Sequence, residues 1–119
     1  MGMKRVIIES PYSGDIPRNL LYARLCVFDC LQRGEAPYAS HLFYTQVLDD
    51  EDKKERQWGI DAGLIWGDAA KLTVVYTDLG ISTGMKYGIE NAKNAGRPIE
   101  YRKLHADIFS DYLAKKFQS

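Results

Sequence analysis

The stretch Lys71–Arg102, KLTVVYTDLGISTGMKYGIENAKNAGRPIEYR, decides the fold. Its opening, KLTVVYT, packs β-branched residues between turn signals, the pattern of a buried central strand. Gly80 to Gly84 then forms a loop of glycine and hydroxyl residues. The helical segment that follows runs to about Ala95, where Gly96 stops it. RPIEYR supplies another strand. Strands separated by a helix imply a parallel sheet with right-handed crossovers, and such sheets hold ligands beyond the carboxyl ends of their strands.

The upstream chain repeats this pattern. RVIIES, Arg5 to Ser10, reads as a strand covered on both faces because its apolar core is continuous. After the turn PYSGD, apolar residues Leu20, Ala23, Val27, Cys30 and Leu31 recur at helical steps, with Asp15 as cap, Pro17 in the first turn and Gly34 at the end. APYAS is a candidate second strand. In the segment after it, Glu51 to Arg56 read as a solvated helical face and Trp58, Ile60, Leu64 and Ile65 as the apolar pattern of a helix. The tail, Asp107 to Phe117, has Ile108, Phe109, Tyr112, Leu113 and Phe117 at helical steps. The expectation is one α/β domain over residues 1–119, with a four- to five-stranded, mostly parallel sheet in a three-layer sandwich.

Bulk properties narrow the function. The 16 basic and 16 acidic side chains cancel, so no overall field draws the chain to nucleic acid or an anionic membrane. No stretch is long and apolar enough to span a bilayer, and the start of the chain has no leader pattern, so the expected location is the cytoplasm. Cys26 and Cys30 read as small core hydrophobes, and no metal-type spacing or cofactor motif is present.

Two loops follow strands in the positions where backbone amides and a helix start favour an anion. The first holds Tyr12, Ser13 and Gly14; the second holds Ser82 and Gly84. Neither is a Walker motif or a GxGxxG, which disfavours a nucleoside triphosphate or dinucleotide site. Asp61 and Asp68 lie on the helix that leads into the central strand. His41 is a further candidate contact among aromatic neighbours, and no third partner makes it part of a Ser-His-Asp or metal constellation.

The blocks ESPYSGD, APYASHLFYTQVLDD, GIDAGLIWGDAAKLTVVYTD and GISTGMKYGIENAKNAGRPIEY resemble those of the nucleoside 2-deoxyribosyltransferase-like superfamily, in its short bacterial and phage branch. The resemblance covers roughly residues 4 to 103. It implies a flavodoxin-like sheet, cleavage or exchange of N-glycosidic bonds in nucleosides or nucleotides, and a homodimer or higher homo-oligomer with sites near subunit boundaries. It implies no cofactor. By the same resemblance Tyr12 is the first-strand aromatic, Asp61 orients base or sugar, and Ser82 helps hold a 5′-phosphate. The full ligand set is then Tyr12, Ser13, Gly14, His41, Asp61, Ser82, Gly84 and Gly88.

The superfamily's catalytic glutamate falls on Gly88. A carboxylate beneath the sugar stabilises or bonds to the carbon that becomes positive as the bond breaks, and glycine does neither. The implied alternatives are a binding protein, an N-glycosidase or transferase using Glu90, Asp61 or Asp78, and an oligomeric interaction module built on Met85, Tyr87, Ile89 and the C-terminal helix. Glu90 lies two residues beyond Gly88, about 200° around a helix. If the site awaits an acid at 88, Gly88→Glu creates or raises base release.

Overall fold

The computed structural model describes residues 2–117. In chain order its elements are β1 (Lys4–Glu9), α1 (Ile16–Gln32), β2 (Glu35–Tyr38), two 3-10 turns (Ser40–Leu42 and Tyr44–Gln46), α2 (Lys53–Gly67), β3 (Leu72–Tyr76), α3 (Thr83–Asn94), β4 (Ile99–Arg102) and α4 (Ile108–Phe117). The four strands form one sheet in the order β2-β1-β3-β4, and all pairs are parallel. With helices on both faces this is a flavodoxin-like α/β fold, whose strand order reverses between β1 and β3.

Alternation along the central strands sorts their side chains between two cores. Val6 and Ile8 of β1 and Leu72, Val74 and Tyr76 of β3 pack against Tyr22, Cys26 and Cys30 of α1. On the other face Val75 meets Met85 and Ile89 of α3, with Ile99 beside them. Each large apolar side chain removed from water contributes about 1.5–3 kcal/mol, so these layers hold the central strands beneath the site in place. Both cysteines are free and fully buried, and burial pushes the Cys30 thiol up to about 11.

A polar network ties α1 to the sheet on the same side. The Tyr76 hydroxyl donates to Asp29 Oδ2 at 2.7 Å, and Arg33 Nε donates to the same oxygen at 2.9 Å. Arg102 grips both oxygens of Glu35, at 2.7 and 2.6 Å, and also meets Glu100.

Several expectations shift. The Glu51–Arg56 stretch is not all helix: Asp52 accepts from the amides of Lys54 and Glu55 and so starts α2 at Lys53. The second strand stops at Tyr38, because Ser40 already opens a 3-10 turn. On α2 the apolar residues divide. Trp58, Ile65 and Trp66 are 53%, 71% and 60% exposed, whereas Leu64 turns inward. Of the α3 residues expected at an interface with the C-terminal helix, Tyr87 is exposed, whereas Met85 and Ile89 are buried in the domain's own core. The side chain of Phe117, expected on the apolar stripe of α4, lies outside the described residues. Among those residues no helix is long and apolar enough to cross a membrane.

Candidate functional site

A cavity of about 480 Å³ lies over β1, between α2 and α3 and under the 3-10 turns. Ligand pockets run from about 300 to 1,000 Å³, so the space suits a small organic molecule. Its floor is the α3-facing side of β1, Ile7 and Glu9. One wall is the glycine edge of α2, Gly59, Gly63 and Gly67; the other is α3 with Met85, Gly88 and Asn91. Tyr38 at the end of β2 and His41 and Tyr44 from the turns close it.

Both sequence-predicted loops reach this space. Tyr12 and Ser13 line it after β1, and Ser82, Thr83 and Gly84 line it at the start of α3. The first loop is pinned by Asn19, whose buried side-chain amide donates to the carbonyls of Tyr12 (2.9 Å) and Ser13 (3.0 Å). Gly14 turns the chain with φ 103°, a conformation that favours glycine. It does not itself line the cavity. In the second loop Gly80 takes φ 85°, and Ser82 Oγ accepts from the amide of Met85 at 3.2 Å, capping α3.

His41 also lines the cavity, and its Nε2 lies 2.7 Å from the Ser10 hydroxyl. Burial lowers the imidazole pKa to about 4, so it is neutral at pH 7. Asp61 takes a different place. It is exposed on the outer side of α2 and accepts from Gln57 Nε2 at 2.8 Å. The reason is rotation: the glycines that face inward are at 59, 63 and 67, and a residue two steps away points about 200° around the helix.

The alternative acids fall outside the cavity as well. Asp78 accepts from the Tyr22 hydroxyl at 2.7 Å and from the Leu104 amide at 3.1 Å, which fastens the loop after β3 to the chain beyond β4. Glu90 is exposed on α3 and absent from the cavity wall. The carboxylates that do line the cavity are Glu9 and Asp50.

Glu9 is the residue that reading the sequence for loops and motifs passes over. It ends β1 in register with Val75 of β3, on the face that looks toward α3. Desolvation raises its pKa from 4.5 to about 8, against the pull of Arg97, and no hydrogen bond contributes to the shift. A Cβ placed on Gly88 would overlap the Glu9 carboxylate. The space that the resemblance reserves for an acid on α3 is thus already filled by an acid from β1. The signal in the sequence was the alternation Val6, Ile7, Ile8, Glu9, which sets Glu9 on the face opposite the α1 core at the carboxyl end of a central strand.

Arg97 fixes the deep end of the site. Its Nε donates to Thr73 Oγ1 at 2.9 Å and its Nη1 to the Gly67 carbonyl at 3.0 Å. At the rim, Arg56 and Asp50 form a loose pair at 4.0 Å. Among the described residues no group of three or more His, Cys, Asp or Glu side chains is arranged to hold a metal ion. What the arrangement offers is a partly apolar pocket with aromatic walls, one desolvated carboxyl, a neutral imidazole and the amino end of a helix.

A solved structure with a similar fold is a 2-deoxyribosyltransferase from the psychrotolerant bacterium Bacillus psychrosaccharolyticus, with a TM-score of 0.60 and 13% identity. The match covers 83% of this chain and 72% of that one, and at this identity it establishes the shared fold. No curated protein matches the sequence. The family described as Domain of unknown function (DUF7768) matches residues 4–102, and the chain belongs to it.

Proposed function

We propose that the cavity binds a nucleoside or nucleotide and serves the cleavage or transfer of its N-glycosidic bond. The observation that carries this reading is the position of the cavity. It lies at the carboxyl ends of β1 and β2 and against the start of α3, beside the reversal of strand order between β1 and β3, in a fold shared with a 2-deoxyribosyltransferase. Its volume and mixed lining suit such a ligand: tyrosines for the flat face of a base, and the Ser82–Gly84 helix start for an anionic group. The residue set differs from the one expected from sequence, since Asp61 and Gly14 stand outside and Glu9, Tyr38, Tyr44 and Arg97 stand inside.

The test is a panel of nucleosides and nucleoside 5′-monophosphates. A ligand that binds only the folded state adds about 2.7 kcal/mol of stability at a hundred times its Kd and thereby raises the melting temperature. At least one member is expected to do so and to release free base on incubation. A panel with no thermal shift at millimolar ligand overturns the reading.

A further inference from the structure

We propose that Glu9 is the acid of this site and protonates the nucleobase as the N-glycosidic bond breaks. The inference rests on the nucleoside or nucleotide reading above and adds the residue and the step.

Position is the first reason. Glu9 is on the cavity floor, at the carboxyl end of a central strand, and its carboxylate takes the volume that any side chain at 88 would enter. Gly88 therefore has a use: it leaves room for a carboxyl that arrives from the strand. Elimination is the second. Asp61, Asp78 and Glu90 do not line the cavity, and Asp50 sits at the rim beside Arg56 with its side chain 38% exposed. Asp50 therefore faces solvent at the mouth of the cavity, whereas Glu9 lies on its floor.

Protonation state is the third reason. With its pKa raised to about 8, Glu9 holds its proton at pH 7, as a general acid requires. The ionisable groups around the cavity are consistent with that. Arg97, from the chain between α3 and β4, is the one charge that pulls the value down, and its Nε and Nη1 are tied to Thr73 and Gly67. His41, from the 3-10 turn, is neutral. Arg56 and Asp50 lie 4.0 Å apart at the rim, both open to solvent, and neither contributes to the shift at Glu9. The remaining ionisable groups on the walls are the tyrosines Tyr12, Tyr38, Tyr44 and Tyr87.

The step balances without a redox partner. The bond between C1′ and the base nitrogen breaks, and its electron pair goes to the base. The Glu9 proton moves to a ring nitrogen of the base. Water bonds to C1′ from the other side and its surplus proton returns to the Glu9 carboxylate through solvent, leaving free base, free sugar and a recharged acid.

The experiment measures ligand binding and base release for wild type, Glu9→Gln and Glu9→Asp between pH 5 and 10, with nucleoside 5′-monophosphates and with a p-nitrophenyl furanoside. Nitrophenolate leaves without protonation, so its release does not need the acid. Wild-type base release is expected to fall above pH 8. Glu9→Gln is expected to bind the nucleotide within about threefold of wild type and release base about a hundredfold or more slowly, while keeping its rate on the nitrophenyl substrate. Glu9→Asp retains part of the activity. Equal base release by wild type and Glu9→Gln overturns the proposal, as does a wild-type rate that rises with pH through 8. Binding without release by wild type overturns it too and leaves the binding reading standing; no binding at all removes both. Should Glu9→Gln fail to fold, the wild-type pH profile decides.

Discussion

The carboxylate of Glu9 occupies the space in which a side chain at Gly88 would begin. One residue ends β1 and the other lies in the middle of α3, so the contact joins the two elements that bracket the cavity. Glycine inside a helix costs about 1 kcal/mol relative to alanine. Its presence there is explained by what it makes room for.

Substitution at Gly88 follows from that contact. The obstructing atoms are the far end of a flexible side chain, so Gly88→Ala is expected to fold, with a stability within about 1 kcal/mol of wild type. It should nevertheless displace the Glu9 carboxylate and lower base release. Gly88→Glu should lower it further, the reverse of what the sequence alone suggests. Thermal melts together with base-release assays check both, and a gain of activity in Gly88→Glu would show that the acid belongs on α3.

The pH dependence of stability carries a signature of the same residue. Glu9 titrates at about 8 when folded and near 4.5 when unfolded, so across that window the folded state holds a proton the unfolded state has lost. Stability from this group is present below pH 4.5 and declines as pH rises to 8, with a slope of at most about 1.4 kcal/mol per unit. His41 acts oppositely: at about 4 folded against 6.5 unfolded, it makes stability rise from pH 4 to 6.5. The two offset each other between pH 4.5 and 6.5, and between 6.5 and 8 Glu9 dominates, before the buried thiols of Cys26 and Cys30, also raised by burial, add their own decline near pH 9. Denaturant titrations between pH 6.5 and 8 should show a decline in wild type that is absent in Glu9→Gln.

Arg102 is predicted to be the most sensitive polar position outside the site. Removing it strands Glu35, whose side chain is only 13% exposed and whose carboxyl Arg102 holds below its ordinary pKa. Breaking such a pair from one side costs about 3–5 kcal/mol. Arg102→Met should lose about that much in urea unfolding, and the double variant with Glu35→Leu should recover most of it.

The outer face of α2 predicts self-association. Trp58, Ile65 and Trp66 are large, apolar and more than half exposed, beyond what a solvated helix ordinarily shows. Light scattering is expected to give a mass above that of one chain, and Ile65→Glu is expected to return it to one chain without lowering the melting temperature. A monomeric wild-type protein would remove this expectation.

The sequence exposes those parts of the fold that depend on local chemistry. The β-branched run of β3 is buried at every position, Ser82 and Gly96 bound α3, and Asp15 caps α1 as its position suggests. The two loops beside the cavity were visible for the same reason. What was not visible depends on which way a residue turns in three dimensions. In α2 the large apolar residues suggest the buried face, yet the glycines at four-residue steps mark the inner one. Gly63 sits against Ser40, where an added Cβ would come within 3.0 Å, so that side of the helix has no room for a large side chain. Asp61 is turned outward as a consequence. Glu9 was hidden because a continuous apolar run conceals its alternation, and because burial of an acid becomes apparent only once α2, α3 and the turns close around it.

A crystal soaked or grown with a nucleoside 5′-monophosphate would report on the proposed site without relying on turnover. The expected result is a ligand in the cavity over β1, with the base against the tyrosines and its glycosidic nitrogen near the Glu9 carboxyl, while Gly88 packs against that carboxyl from α3. A nucleotide bound elsewhere, or one whose glycosidic bond lies out of reach of Glu9, would contradict the assignment of the acid.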